Sequence, residues 1–88
     1  MPVSVQVLYQ AVAESKDQTD ASVQNVIEFD APIRGIAIHH DEAGAEDFIV
    51  NGLTIKVPPG GWRSAISGVA SENVTIPNDV DCVLHRLV

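Results

Sequence analysis

The stretch Phe48-Ile49-Val50-Asn51-Gly52-Leu53-Thr54-Ile55 decides the fold, because it places an Asn-Gly pair between two apolar runs. Asparagine and glycine tolerate the positive φ angles that both central positions of a type I′ turn require, and such turns join the strands of a β-hairpin. After the turn, Leu53, Ile55 and Val57 alternate with polar residues, which is typical of a strand with one buried face. The stretch therefore predicts a tight hairpin in the middle of the chain.

The composition of the 88 residues also favours strands. The chain has 13 Val, 8 Ile and 3 Thr against 4 Leu and 1 Met, and β-branched side chains pack well on a pleated sheet but lose rotamer freedom in a helix. No window of ten or more residues has a helical apolar period. Strands are predicted at 3–13, 23–29, 33–38 (with Gly35 a candidate β-bulge), 48–50, 53–57, around Ile66, at 74–76 and at 80–88.

Turn residues separate these segments at short intervals, which is typical of an all-β protein. We therefore expect one domain over residues 1–88, a small antiparallel β-sandwich of jelly-roll type with about seven or eight short strands. The polar segment 14–22 is predicted to be an exposed, mobile loop, and the acidic segment 39–47 a second exposed loop. The last strand has apolar residues on both parities, which predicts that it is covered on both faces near its end.

A domain of this size has a thin core. Aromatic residues make up only 5% of the chain, and the single cysteine, Cys82, excludes an intrachain disulfide. A metal framework would need more than one thiol, so oligomerisation is the remaining common source of stability. Cys82 itself shares a strand parity with Val80 and Leu84, and we expect it to be a small buried hydrophobe.

The formal charge of −7 limits the classes of partner. Five scattered basic residues do not supply the cluster that phosphate neutralisation needs, so nucleic acid is excluded as a partner, and an acidic surface disfavours anionic membranes. The N-terminus lacks the basic and apolar regions of a secretory signal, and no apolar stretch approaches 18 residues. We expect synthesis in a reducing cytosol.

Candidate chemistry centres on His39-His40-Asp41 and on His85. Neighbouring residues on a strand point to opposite faces, so His39 and His40 cannot both bind one ion, and the cupin pattern of His-x-His is absent. We interpret the pair as the exposed end of a strand. The acidic segment 39–47 lacks the spacing of a calcium loop, no serine lies in a nucleophile elbow, and Gly60-Gly61 lacks the residues of a phosphate loop. No catalytic, metal or cofactor residues are predicted.

The run Pro58-Pro59-Gly60-Gly61-Trp62-Arg63 is the most unusual in the chain. The prolines stop the preceding strand and stiffen the approach, while the glycines allow a close or left-handed backbone. Trp and Arg are enriched at interface hot spots, so the run is a candidate contact loop. The alternative is that Trp62 folds back and caps the open end of the sandwich.

With this pattern in hand, residues 29–88 resemble small β-sandwich proteins on the heads of tailed bacteriophages, the capsid decoration or cement proteins. The resemblance is carried by three segments: Phe48-Ile49-Val50-Asn51-Gly52-Leu53-Thr54-Ile55, Val57-Pro58-Pro59-Gly60-Gly61-Trp62, and Val74-Thr75-Ile76-Pro77 with Val83-Leu84-His85-Arg86-Leu87. It implies a protein without enzymatic activity that is made in the host cytoplasm and attaches to the capsid surface of the virion. The implied partner is the major capsid protein, at junctions between its subunits, and the implied assembly is a homo-oligomer, most often a trimer.

The candidates for contact are Trp62, Arg63, Val83 and Leu87. Two other roles stay open. The chain could be a small ligand-binding or carbohydrate-binding module that stacks a sugar on Trp62, or it could be a structural protein of the phage tail or neck. An enzyme would depend on His39, His40 and His85 near acidic residues.

Overall fold

The computed structural model describes residues 11–22 and 25–88. These residues form eight strands and one short 3-10 turn, Gln18–Asp20. The strands are β1 (Val12–Asp17), β2 (Val26–Glu28), β3 (Gly35–His40), β4 (Glu46–Val50), β5 (Leu53–Val57), β6 (Gly60–Ala65), β7 (Asn73–Thr75) and β8 (Cys82–Leu87). Positions 3–10 and 23–24 of the predicted strands lie outside the described residues.

The strands form two four-stranded antiparallel sheets. Sheet A has the order β1-β8-β3-β6, and sheet B has the order β2-β7-β4-β5. Four of the pairs are nested about the β4–β5 turn, since β4 pairs with β5, β3 with β6, β2 with β7 and β1 with β8. The two halves of the chain therefore run antiparallel as one long two-stranded ribbon. Successive strand pairs along this ribbon belong alternately to sheet B and to sheet A. The pairing of β3 with β8 and of β4 with β7 completes the two sheets. This is a jelly-roll sandwich, so the predicted fold class is confirmed.

The predicted hairpin lies at the closed end of this ribbon. Asn51 and Gly52 have φ angles of 52° and 76°, as a type I′ turn requires, and Val50 pairs with Leu53 across it. The Asn51 side chain also donates to the Ile33 carbonyl at 2.9 Å, and its oxygen accepts from the Ser71 N–H at 2.8 Å. The turn is thus attached to two other loops.

The core lies between the two sheets and is built mostly from β-branched side chains. Residues of β3 alternate as predicted for a strand with one buried face, since Ile36 and Ile38 are buried while Ala37 and His39 face outward. The buried cluster contains Ile27, Phe29, Ile33, Ile36, Ile38, Phe48, Val50, Val57, Val74, Ile76, Val80, Cys82 and Leu84, with Trp62 and Ile55 packed partly against it.

The prediction of a mobile loop at 14–22 is wrong for its first half. Residues up to Asp17 belong to β1, an edge strand of sheet A, and the 3-10 turn follows directly. The strand has no apolar period because polar cross-strand contacts hold it. The Ser15 hydroxyl lies 2.6 Å from Nδ1 of His85, and the Gln18 side-chain oxygen accepts from the Cys82 N–H at 2.9 Å.

The run Gly60 to Arg63 is also a strand and not a loop. Only Pro58 and Pro59 separate β5 from β6, and Gly60, with a φ of 90°, supplies the left-handed backbone that starts β6. Trp62 pairs with Ile38 and lies on the inward parity of this edge strand, half-buried. Ile66 does not lie in a strand, contrary to the prediction. The Ile66 N–H donates one hydrogen bond to the Arg34 carbonyl at 2.9 Å.

Two smaller predictions change. Gly35 pairs with Ala65 in regular register, so it forms no β-bulge, and the register of sheet A shifts instead between Val12 and Glu14. The acidic loop is shorter than predicted, because β3 continues to His40 and β4 begins at Glu46.

Replacement of Gly52 by valine should lower the free energy of unfolding by about 1–2 kcal/mol, because a β-branched residue resists a φ of 76°. A Cβ added at this glycine would have no heavy atom of the described residues within 4 Å, so the cost comes from the backbone alone. Urea denaturation measures it.

The matched control is Gly44→Val, at a glycine whose surroundings are equally open and whose φ is not positive. It should cost less than Gly52→Val. Equal effects of the two substitutions would contradict a type I′ turn at Asn51 and Gly52.

Candidate functional site

The outer face of sheet A carries two rows of side chains that cross its strands. In the first row, Ala37 is the cross-strand partner of both Arg63 and His85, and Ser15 is the partner of His85. In the second row, the register order is Gly61, His39, Val83 and Asp17. Side chains at such paired positions on one face lie side by side, so the two rows form a continuous surface.

A shallow depression of about 250 Å³ lies between β6, β3 and β8, and we call it the basic depression. Its lining residues are Ala37, Ile38, His39, Gly61, Trp62, Arg63 and His85. Ala37 and Gly61 have the smallest side chains of the set and leave room at its floor. Arg63, His39 and His85 bring nitrogen donors around this floor, and no carboxylate of the described residues belongs to the lining. In a chain of charge −7, this local excess of donors is unusual.

A second depression of about 210 Å³ adjoins the first, and we call it the aspartate depression. Its lining residues are Asp17, Gln18, His39, Asp41, Asp81, Cys82 and Val83. His39 belongs to both depressions, and its Nε2 lies 3.2 Å from an Asp41 oxygen. Hydrogen bonds from the hydroxyl and backbone N–H of Thr19 lower the pKa of Asp17, which keeps that carboxylate charged.

The neighbouring histidines face opposite sides of β3, as strand geometry predicts. His39 is exposed, but His40 is 1% exposed, so the expectation of an exposed pair is wrong for His40. Nε2 of His40 donates to the Val57 carbonyl at 2.9 Å, while its Nδ1 accepts from the Glu42 N–H at 3.2 Å. Only a neutral imidazole with its proton on Nε2 satisfies both contacts. The ring also stacks on Phe48 with centroids 6.2 Å apart, so His40 is a core residue that joins β3 to the end of β5.

Among the described residues, no group of three or more His, Cys, Asp or Glu side chains could hold a metal ion. The three histidines are used separately: His40 in the core, His39 beside Asp41, and His85 beside Ser15. His39 and His85 nevertheless line one depression, whereas His40 lies in the core.

Cys82 is buried, with 3% of its surface exposed, as the strand parity predicts. Desolvation by burial, together with the nearby charges of Asp17 and Asp81, raises the pKa of its thiol to about 11. The thiol is thus protonated at neutral pH and is a poor nucleophile.

An ion pair that the sequence pattern did not reveal joins β1 to β8. Nε of Arg86 lies 2.5 Å from a Glu14 oxygen, and both side chains are about 15% exposed. The Glu14 carboxylate also accepts from the Asp30 N–H at 2.9 and 3.0 Å. It thus connects β1, β8 and the segment between β2 and β3. The sequence offered one clue to this ion pair, the acidic residue Glu14 within a segment that was predicted to be a loop.

These contacts decide the protonation of Glu14. Burial alone raises its pKa, but hydrogen bonds from Arg86 and from the Asp30 backbone lower it, as do the positive charges of Arg86 and Lys16. The hydrogen bonds and charges outweigh burial, and the pKa lies below the ordinary value of 4.5.

A third depression of about 380 Å³ lies at one end of the sandwich, where the β1–β2 and β7–β8 connections meet. Its lining residues are Gln18, Asn25, Ile76, Pro77, Asp79, Val80 and Asp81. The side chains of Asn25 and Asn78 hydrogen-bond to each other beside it, and the Ile76 N–H donates to the Asn25 carbonyl at 2.8 Å. These contacts hold the two connections together and leave the depression polar.

Of the four predicted contact residues, Arg63 and Val83 lie on the outer face of sheet A, while Trp62 lies on the inward parity of β6 and packs partly against the core. Trp62 and Arg63 line the basic depression, and Val83, which is 39% exposed, lines the aspartate depression. Leu87 is 2% exposed and offers no surface to a partner, so its assignment as a contact residue is corrected. Leu84 and Leu87 are both buried although their parities differ, as expected for a strand covered on both faces near its end.

Acidification should destabilise the fold as pH falls through the lowered pKa of Glu14. The unfolded chain binds the proton at a higher pH than the folded chain, so the contribution of Glu14 is complete above 4.5 and is lost below it. The melting midpoint, followed by circular dichroism from pH 7 to pH 3, measures this loss.

Glu14→Gln should lower the melting midpoint at pH 7 by roughly 4–8 °C, since about 1 kcal/mol is lost with the charged hydrogen bonds. It should also flatten the fall of the midpoint in acid. The same substitution at the exposed Glu28 serves as a control and should change the midpoint at pH 7 little. An unchanged acid profile in Glu14→Gln would contradict the role of this ion pair.

The native thiol of Cys82 should react with a disulfide reagent at pH 8 roughly a hundredfold more slowly than in the urea-unfolded chain, because it is buried and protonated. Absorbance of the released thiolate gives both rates. Equal rates in the two states would show that Cys82 is accessible.

Comparisons of this chain with protein families, curated proteins and solved structures give no match. Over residues 11–22 and 25–88, no helix has the length and apolar character needed to cross a bilayer.

Proposed function

We propose that this chain is a non-enzymatic structural protein of a virion, a capsid decoration or cement protein that oligomerises and stabilises contacts between major capsid proteins. The observation that carries the proposal is the outer face of sheet A. This face carries Arg63 and Val83 beside two adjoining depressions, and Trp62, which packs partly against the core, also lines one of them. An arginine and an exposed valine on a sheet face, with a tryptophan beside them, are typical of a protein contact surface.

The energetics of the sandwich support the proposal. Six large apolar side chains of the described residues remain exposed: Val12, Ile49, Leu53, Val69, Val83 and Val88. Covering apolar surface contributes roughly 25 cal/mol per Å². A small domain that leaves such side chains in water gains stability when a neighbouring subunit covers them.

The outer face of sheet B supplies a second surface. Here the register aligns Val26, Thr75, Ile49 and Thr54 in one row across all four strands. All four are β-branched and uncharged, and Ile49 is 42% exposed. A cement protein contacts both capsid subunits and other copies of itself, so it needs more than one surface, and the sandwich offers one on each sheet.

A carbohydrate-binding module is the second candidate, and the position of Trp62 favours it. Trp62 lines an open depression together with His39, His85 and Arg63, which could donate hydrogen bonds to sugar hydroxyls. In this case the protein would bind glycans through Trp62 as a monomer. A tail or neck protein of the phage would use the same surfaces as a decoration protein but at another place in the particle.

Two measurements test the proposal. Size-exclusion chromatography with light scattering gives the number of copies, where the proposal expects a homo-oligomer and the resemblance to decoration proteins implies a trimer. Mass spectrometry of virions from the genome that encodes the chain, with heads and tails separated, should find the protein in heads in a copy number comparable to the major capsid protein.

A 9.4 kDa monomer that is absent from purified particles would overturn the proposal. Recovery in separated tails would replace it with the tail assignment. Binding on a glycan array that is lost in Trp62→Ala and kept in the matched aromatic control Phe48→Leu would favour the carbohydrate module, since Phe48 lies in the core and not in the depression.

A further inference from the structure

We propose that Asn51 is a site of spontaneous deamidation that the folded chain suppresses, so that the reaction proceeds when the hairpin turn opens. The inference is independent of the proposed function, because it concerns the chemistry of the turn itself. The chain has four asparagines, and only Asn51 precedes a glycine. Glycine has no side chain to shield its nitrogen, and its backbone freedom lets that nitrogen reach the amide of the preceding asparagine.

The reaction needs water and no other reactant. The Gly52 nitrogen gives its proton to water or hydroxide and attacks Cγ of Asn51. The new C–N bond closes a succinimide ring, while the bond from Cγ to Nδ2 breaks and ammonia leaves with a proton taken from the solvent. Water then opens the ring at one of its two carbonyls. One opening gives aspartate, and the other gives isoaspartate, in which the main chain passes through the former side chain.

The backbone of the turn holds the reacting atoms apart. Ring closure requires Cβ of Asn51 and the Gly52 nitrogen on the same side of the bond between Cα and the carbonyl carbon. A type I′ turn instead sets ψ of its first central residue near about 30°, which places this nitrogen almost opposite Cβ. Rotation of the peptide is restricted, because Val50 and Leu53 pair on either side of the turn. A Cβ added at Gly68 would lie 3.7 Å from the Asn51 carbonyl oxygen, so the β6–β7 connection packs against the same peptide.

Two hydrogen bonds hold the side chain of Asn51 as well. Its Nδ2 donates to the Ile33 carbonyl at 2.9 Å, and its Oδ1 accepts from the Ser71 N–H at 2.8 Å. The two partner segments are also bonded to each other, since the Ile33 N–H donates to the Ser71 carbonyl at 2.9 Å. Main-chain atoms of two connections therefore fix Cγ and the leaving group, and attack on Cγ requires the side chain to leave these partners.

The products of the reaction do not fit the folded turn. Ile33 is fully buried, and an aspartate at position 51 would set a carboxylate oxygen against the carbonyl to which Nδ2 now donates. Isoaspartate adds a carbon atom to the main chain of a two-residue turn, which disrupts the register between Val50 and Leu53. A turn that opens and reacts therefore closes less well, and deamidation makes the opening irreversible.

Peptide mapping by mass spectrometry at pH 8 tests the inference. It follows the loss of Asn51 in the folded chain and in the chain unfolded by guanidinium chloride. The folded chain should deamidate at Asn51 at least tenfold more slowly than the unfolded chain. Asn73, which precedes Val74, is the internal control and should react slowly in both states, because a β-branched residue hinders attack by its nitrogen. Equal rates at Asn51 in the two states would overturn the inference.

Ser71→Pro tests the contribution of the hydrogen bonds. Proline lacks the N–H that donates to Asn51, whereas the matched control Ser71→Ala keeps it. Under folding conditions, Ser71→Pro should deamidate at Asn51 at least threefold faster than both Ser71→Ala and the wild type. An unchanged rate in Ser71→Pro would show that the hydrogen bonds do not protect this site.

Val80→Ala controls for a general loss of stability. Val80 is 5% exposed and lies in the β7–β8 connection, at the other end of the strands from the turn. This substitution should lower the stability of the core but leave the rate at Asn51 near the wild-type value. A rate as high as that of Ser71→Pro would assign the reaction to global unfolding and overturn the role of the turn contacts. Denaturation curves establish that each variant is folded, and the comparison of folded with unfolded wild type needs no variant.

Discussion

The antiparallel ladder that starts at the Asn51-Gly52 turn is the constraint on which the rest of the structure depends. The two positive φ angles close the hairpin, and this places β4 beside β5 in one register. Each later pair, up to β1 with β8, extends the same ribbon outward from the turn. The turn thus sets the nested pairs, and the pairing of β3 with β8 and of β4 with β7 then joins the folded ribbon into two sheets.

The surface chemistry follows from the same ladder. On sheet A, strand alternation sends Ile36, Ile38 and His40 into the core and leaves Ala37 and His39 outside. Cross-strand pairing then places Arg63, Ala37 and His85 in one row, although they lie far apart in the chain. The two oppositely charged depressions are therefore products of register. A shift of one residue in β6 would turn Arg63 into the core and remove the basic depression from the surface.

Apolar periodicity located the strands that line the core and failed at those that lie on an edge of sheet A. The part of β1 from Glu14 on was missed because Glu14 and Ser15 bond to distant polar partners and show no apolar alternation. β6 was missed because Gly60 and Gly61 read as a loop, whereas one positive φ at Gly60 is enough to start the strand. In both cases, contacts with the partner strand stabilise a strand that the β propensity of its own residues does not predict.

The sequence by itself determined the all-β class, the type I′ hairpin, the buried character of Cys82 and the opposite facing of His39 and His40. Each of these depends on local backbone geometry or on an alternation within a few residues. Only the tertiary structure decided that Glu14 pairs with Arg86 and that two charged depressions adjoin on one face. These features join residues from strands that are distant in the chain, and pairing across the sheet, which no local pattern records, brings them together.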